Sequence, residues 1–418
     1  MKEKQIYTSV LDTDFYKFSM GQMIFKYHPR VPVEFRFINR SKSVRLAEWI
    51  DMGELREQLD AARRVRTTDK DLRVLMGTSY DYNRLSMFHF DYLAFLKNLR
   101  LPEYSLEKTS DGQLDLRFYG NWAETTYCEI PGMYIPKELY RKAILKSMTI
   151  GERNRLMQEG RERLYQKIAL LSKYRHVTFS ELSTRRRFSY EHQDFVVEKL
   201  AKNFKPEQFK GSSNVLLANK HGVAAMGTTG HELSMAYSGI HHDQDEIDPT
   251  FSSRQVLKDW EEMYGLDLSI FLPDTWGSDW FFDKVVTPDQ LRRWKGSRND
   301  SQDPYVYSRK MIPRYHGVDV DPMTKFVLDA DNQTAISIVE IGNTFRYEMP
   351  HTFGIGTHFG DDFGLPNLPI VVKMVSAAGH PVCKLSDNLD KASGDPAAIE
   401  RMKRLCGYDN TYSKACVS

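Results

Sequence analysis

The sequence predicts a mixed α/β fold, and three observations carry that prediction. Near the N-terminus apolar residues alternate with polar ones. Long amphipathic segments follow from about residue 136. Beyond them, six short apolar runs are separated by helix-sized intervals.

The first stretch mixes strands and helices. "PVEFRFINR" sets Val33, Phe35 and Phe37 against Glu34 and Arg36, and "GQLDLRFYG" alternates Leu114, Leu116 and Phe118 with polar neighbours, so both read as half-buried strands. "LAEWIDMGELREQLDAARRV" and "MFHFDYLAFLKNL" carry helical spacing, which makes this an α+β section. "PKELYRKAILKSM" and "IGERNRLMQEGRERLYQKIALLSKY" read as long helices. The six runs are "HVTFSELS", "GSSNVLLAN", "GVAAMGT", "SIFLPDTW", "TKFVLDAD" and "HTFGIGT". Strands alternating with helices predict a parallel βα series closing as a barrel, with polar residues at the C-terminal strand ends where such folds build sites. "LPIVVKMVSAAGHPVCKLSD" reads as an antiparallel hairpin turning at Ala378-Gly379. A hairpin has no place in a parallel series, so this segment is expected to rejoin the first section.

Composition bounds the function classes. The 418 residues include 58 basic and 56 acidic side chains, a net charge of +2, which provides no bulk drive toward nucleic acid or a membrane surface. Any preference for anions is local. The start, MKEKQIYTSV, lacks the apolar core of a signal peptide, and no run reaches the roughly 20 apolar residues of a membrane helix, so a cytoplasmic protein is expected. Cys128, Cys383, Cys406 and Cys416 lack CxxC spacing, which points to reduced thiols and not to zinc or a disulfide framework.

Candidate chemistry falls at the strand ends. In "AAMGTTGHELSMA" the small residues Gly227 to Gly230 clear space before His231, which is either a satisfied core or capping histidine or a reactive one. "TRRRFS" supplies Arg185, Arg186 and Arg187, either a solvated basic turn or a forked donor set for phosphate oxygens. "TFGIGTHFG" places Gly354, Gly356 and Thr357 after an apolar run, where backbone N–H groups can approach an anion or simply turn the chain. "RNDSQDP" brings Arg298 beside Asp300 and Asp303, a polar loop or a carboxylate pair for a divalent ion or ribose hydroxyls. "HHDQDE" (241–246) fits an exposed loop better than a metal site.

Taken in order, "SVLDTDFYKFSM", "VEFRF", "STRRRFSYEHQ", "GSSNVLLA", "MGTTGHE", "LPDTWGSD", "RNDSQDP", "TFGIGT" and "KLSDN" resemble the nicotinate phosphoribosyltransferase family, of the type II phosphoribosyltransferases, along nearly the whole chain. The resemblance implies an irregular parallel α/β barrel over 136–365 and a discontinuous α+β N-terminal domain, 1–135 completed by 366–418. It implies that nicotinate and phosphoribosyl pyrophosphate are joined to give nicotinate mononucleotide and pyrophosphate, a step in making NAD, with ATP and magnesium as cofactors and a monomer or homodimer as the working unit. In this pattern His231 takes the γ-phosphoryl group of ATP, with Glu232 as a neighbour able to orient the ring. Tyr16 and Thr228 contact nicotinate, Arg298 pairs with its carboxylate, and Gly354, Gly356 and Thr357 hold the 5-phosphate. Arg185 to Arg187 serve pyrophosphate or ATP phosphates, and Asp274, Asp300, Asp303 and Asp329 are ribose or magnesium partners.

The chain also departs from the pattern. Gln302 stands where "DSGD" has glycine, Leu328 replaces a serine, and Asp331 replaces an apolar residue. A left-handed conformation at Gln302 would cost roughly 1–2 kcal/mol. Besides the ATP-coupled nicotinate enzyme, the departures leave room for a relative with a shifted base preference, such as nicotinamide, or a nucleotide-binding protein without turnover.

Overall fold

In a computed structural model that describes residues 4–79 and 86–413, the alternation read near the N-terminus becomes the middle of an antiparallel sheet. Its strands are β1 (Pro32–Asn39), β2 (Tyr104–Lys108), β3 (Leu114–Asn121), β10 (Ile370–Ala377) and β11 (His380–Pro381), in the order β11-β10-β1-β3-β2. Val33, Phe35 and Phe37 are buried on one face of β1, while Arg36 reaches Asp115 of β3 at 3.2 Å on the other. The C-terminal strand pairs with β1 from Val33↔Ala377 to Asn39↔Ile370. Ala378 and Gly379 turn the hairpin with φ of 53° and 82°, the paired left-handed geometry of a tight two-residue turn.

The expected helices form, with two changes. "LAEWIDMGEL" splits into Leu46–Trp49 and Met52–Arg64, because Asp51 accepts the N–H of Glu54 at 2.7 Å and starts a new helix. "PKELYRKAILKSM" is the end of a longer helix, Glu129–Ser147, buried over its first 13 residues, so its upstream half shows no amphipathic period. The segment "HHDQDE" contains the short helix His242–Ile247 and is not a loop. There the buried Asp245 accepts the N–H of Ser252 at 3.0 Å.

Six parallel strands form the second sheet, β4 (Thr178–Glu181), β5 (Phe209–Ser212), β6 (Ile270–Phe271), β7 (Gly296–Asn299), β8 (Phe326–Asp329) and β9 (His351–Ile355), in the order β5-β4-β9-β8-β7-β6. Two of the six predicted runs are not strands. In "GSSNVLLAN" the strand ends at Ser212 and Asn214 caps the helix Val215–His221, accepting the N–H of Leu217 at 3.0 Å. "GVAAMGT" contributes one bridge, Ala225 to Ser212. In their place β5 begins upstream, and β7 comes from the polar "GSRN", too short and hydrophilic to show a period.

The segment 224–230 makes the barrel irregular. It lies beside β5 at Ala225, while Thr229 and Gly230 share an apolar cavity with Ile270 and Leu272 near β6. It therefore spans the gap between the two edge strands and delivers His231 there. Gly211 permits the close approach, since a Cβ at that position would lie 2.0 Å from the carbonyl oxygen of Ala224. No helix among the described residues is long and apolar enough to cross a membrane. Cys128, Cys383 and Cys406 are buried free thiols; Cys416 lies outside the described residues.

Arg187 ties the parts together and is not a phosphate donor. Fully buried, it forks onto Asp12 at 2.6 and 2.9 Å, reaches Glu138 at 2.6 Å, and lies over the Tyr134 ring at 4.0 Å. Asp12 also accepts Asn214 Nδ2 at 2.7 Å, so the N-terminal signature segment is stitched to the strand ends. Replacing Arg187→Met fills similar volume but strands two buried carboxylates. The expected loss is about 3–5 kcal/mol of unfolding free energy in a urea titration.

Candidate active site

The ends of β4, β7, β8 and β9, the segment carrying His231, and the returning C-terminal strand converge on one cleft with about 1370 Å³ of space continuous with solvent. Seven cationic and four acidic side chains line it, so the local field is positive although the chain is nearly neutral.

His231 is buried at the start of the helix Glu232–Ile240, where its Nε2 meets Asp274 Oδ1 at 2.7 Å and lies 3.9 Å from Asp300 Oδ2. Asp274 also accepts Ser301 Oγ at 2.6 Å and Lys384 Nζ at 2.9 Å. Burial works to raise this carboxyl, but Lys384 and His231 outweigh it and hold it well below the usual range. An ionised Asp274 only accepts, so Nε2 carries the ring proton and Nδ1 keeps its lone pair. Burial, then the Lys384 charge, push the imidazole down to about 4, so the ring is neutral near pH 7.

Arg298, at the end of β7, donates to Asp300 at 2.7 Å and to the Thr229 carbonyl at 3.3 Å, while its buried Nε has no partner among the described residues. Asp300 is held low against its burial by Arg298 and Lys384. Tyr16 enters from the N-terminal helix Tyr16–Tyr27, donating to Glu129 at 2.8 Å beneath the Arg185 guanidinium, which lies 5.2 Å from the ring centre. The fully buried Lys17 is ion-paired to both Glu129 and Glu232. Trp122 Nε1 donates to Glu232 at 2.7 Å as well. Glu232 is thus committed to the N-terminal section; the carboxylate that orients the His231 ring is Asp274.

The opposite wall contains Arg185, Arg186, Asp331, Asn332, Gly356 and Thr357. Burial, then the charges of Arg185 and Arg40, bring Arg186 down to about 10. Several sequence candidates lie elsewhere. Asp303 caps the helix Pro304–His316, accepting the N–H groups of Tyr305 at 2.9 Å and Val306 at 3.2 Å. Asp329 is buried between His351 Nδ1 at 2.6 Å and Asn299 Nδ2 at 3.0 Å, crosslinking β7, β8 and β9. Gly354 packs beneath Leu182, whose Cδ1 would lie 2.2 Å from an added Cβ. Thr229 lines the cleft where Thr228 was expected; the Thr228 carbonyl accepts Ser19 Oγ at 2.5 Å.

Comparison with known proteins decides what this cleft belongs to. A sequence profile of the nicotinate phosphoribosyltransferase (NAPRTase) family matches residues 177–410, and that of its N-terminal domain matches 11–135. The chain belongs to the nicotinate phosphoribosyltransferase family. The crystal structure of nicotinate phosphoribosyltransferase from Porphyromonas gingivalis superposes with a TM-score of 0.85 at 29% identity, covering 96% of this chain and 100% of its own. A structure from Saccharomyces cerevisiae gives 0.84 at 27% identity, covering 98% and 100%. One from Vibrio cholerae, at 24% identity over 98% and 95%, shares the fold with a TM-score of 0.84.

Membership makes this an enzyme of NAD biosynthesis and gives the departures a frame. Gln302 does not adopt a left-handed backbone, so the expected strain is absent; its N–H and carbonyl are exchanged with the Asn299 side chain at 3.0 Å each. It does not line the cleft either. Leu328 also lies off the cleft, in register with Arg298 and Thr352. Asp331 does line it, ion-paired to Lys391.

The nicotinate phosphoribosyltransferase cleft further contains groups that sequence reasoning missed. Lys373 on β10 is pushed down to about 8 by burial. Lys384 and Lys391 come from the returning segment, and the quoted "KLSDN" was the signal for the first of them. Since an unfolded imidazole titrates near 6.5 and His231 near 4, acidification between those values protonates only the unfolded chain. Stability supplied by the neutral ring is present above pH 6.5 and is lost as pH falls through about 4. In urea titrations, His231→Gln should show a shallower loss of stability over that window than the parent.

Proposed function

We propose that this chain joins nicotinate to phosphoribosyl pyrophosphate, forming nicotinate mononucleotide and pyrophosphate, with ATP hydrolysis coupled through transient phosphorylation of His231. One observation carries the coupling. An ionised, triply bonded Asp274 fixes the proton on His231 Nε2, leaving Nδ1 as a neutral nucleophile in a cationic cleft. Nδ1 takes the γ-phosphoryl group of ATP as the bond to the ADP oxygen breaks, and the ring proton stays shared with Asp274. Water later removes the phosphoryl group as phosphate. In between, the ring bears about −1.5 to −2 of charge, judged from other phosphorylated side chains. That charge acts directly on Lys384 and Asp300.

Transfer of the sugar needs position more than covalent help. The pyridine nitrogen bonds to the ribose anomeric carbon as the bond to pyrophosphate breaks, and negative charge collects on the leaving group. Arg185, Arg186 and Lys391 line the wall that would receive it, while Gly356 and Thr357 would hold the 5-phosphate. Arg298, whose buried Nε lacks a partner among the described residues and whose NH2 is held by Asp300, would supply the guanidinium for the nicotinate carboxylate in the cleft that Tyr16 also lines. Of the clustered groups His231, Asp274 and Asp300, whose ligand atoms lie within 4.8 Å of one another, the carboxylates suit magnesium, since His231 Nε2 carries a proton. Lys384 and Ser301 already engage Asp274, so Asp300 is the residue that would hold the ion, which neutralises phosphate charge when bound.

Labelled γ-phosphate from ATP should remain on the parent protein as an acid-labile adduct and be absent from His231→Asn. Asp274→Asn, which no longer dictates the tautomer, should label about 100-fold more slowly or worse. Equal labelling of the His231 variant refutes the phosphoryl role. In steady-state assays with each base, with and without ATP, the parent should favour nicotinate over nicotinamide, and Arg298→Lys should lose at least about tenfold of that preference. If neither base yields a mononucleotide while ligands still raise the Tm, the protein binds nucleotide without turnover.

A further inference from the structure

The acids of the cleft differ in how they are held. Asp274 has three side-chain donors and Asp300 is clasped by Arg298. Asp331 has a single ion pair, to Lys391, and the two side chains are 27% and 14% exposed. The pair is also asymmetric. Lys391 is held independently by the Asp300 carbonyl at 2.7 Å and sits on the turn Leu389–Lys391, whose cap is Asn388. Among the described residues, no second ion pair or hydrogen bond holds the Asp331 carboxylate. It stands in the loop after β8, next to Asn332, which has a left-handed φ of 50°. It lines the same wall as Arg186, and its field reaches that guanidinium.

A fixed cation facing a loosely held, part-exposed carboxylate is an anion site filled from within. We propose that Asp331 is an internal surrogate for a substrate phosphate, occupying the anion position beside Lys391, on the wall that Arg186 also lines, until the diphosphate group of the incoming sugar displaces it. The residue thereby sets the affinity of the cleft for diphosphate. The inference rests on the reading of this wall as the pyrophosphate side. A part-exposed pair of single charges is weak and screened by salt, whereas a diphosphate brings several charges to the same cations. Displacement is therefore favourable, and the competing carboxylate lowers its yield. When it leaves, Asp331 swings toward solvent and Lys391 stays on the Asp300 carbonyl, ready for a phosphate oxygen.

The test is calorimetric titration of the full chain with inorganic pyrophosphate, without divalent ions and again with magnesium. Asp331→Asn keeps the shape and removes the charge; it should bind pyrophosphate about tenfold tighter than the parent in both series, with the advantage shrinking at high salt. Lys391→Met should weaken binding in the parent and cancel the gain when added to Asp331→Asn. The KM for phosphoribosyl pyrophosphate should fall in Asp331→Asn. Equal or weaker binding by that variant overturns the proposal, and weakening confined to the magnesium series would make Asp331 a cation ligand instead. If the parent forms no mononucleotide yet the calorimetric ordering holds, the enzymatic reading fails and the surrogate stands. If the parent turns over but the ordering is absent, only the surrogate fails.

Discussion

A single buried carboxylate, Asp274, is the constraint around which the cleft is organised. Removing an ionised carboxyl from water is costly unless its oxygens are filled, and here they are filled from three distant stretches: His231 after the irregular segment, Ser301 after β7, and Lys384 from the returning chain. Each donor is held in place by its acceptor as much as the reverse. Ser301 in turn accepts the N–H of Asp387 at 3.1 Å, and Asp387 holds Ser278 through its N–H at 2.7 Å and its hydroxyl at 2.5 Å. Charge, tautomer and tertiary placement are thus one problem with one solution.

A second buried network plays the complementary part. Lys17 sits between Glu129 and Glu232 and Arg187 between Asp12 and Glu138, joining the long buried helix Glu129–Ser147 to the signature segment and the barrel ends. Glu129 is drawn down to about 2 by Lys17 against the effect of its burial. Glu129 and Glu232 reach the cleft wall, but Lys17 already matches their charge. Lys373, pushed down by its burial, is a cleft cation whose charge a polyphosphate can complement.

Much of the architecture was legible because burial on one face writes a period. β1, β3 and the long helix Ile150–Leu171 sit where alternation and helical spacing put them, and the hairpin at Ala378-Gly379 turns as its residues require. β7 was not legible, since four residues, polar apart from the leading glycine and mostly buried, are too short a run to show alternation. "VLLAN" misled for the opposite reason: an apolar run cannot distinguish strand from helix until Asn214 caps it. In the cleft, His231, Arg298, Asp300, Arg185, Arg186, Tyr16, Gly356 and Thr357 share one surface, as the motif order implied. Arg187, Asp303, Asp329 and Gly354 do not, because adjacent positions in a motif point to opposite sides of a strand or into a cap. Lys384 and Lys391 were hidden by distance in sequence, which no local pattern records.

The pairing of β10 with β1 joins positions more than 330 residues apart, Val33 to Ala377 among them. During synthesis β1 can zip to β3 early, but its other edge stays open until residues 370–377 have left the ribosome. Long-range pairing of this kind is slow, so the nascent molecule passes through an interval with an unprotected apolar edge and no lysine opposite Asp274. Quality control by chaperones and proteases therefore acts on a species in which the cleft is incomplete, and docking of the returning segment covers the open edge of β1 and brings Lys384 to Asp274.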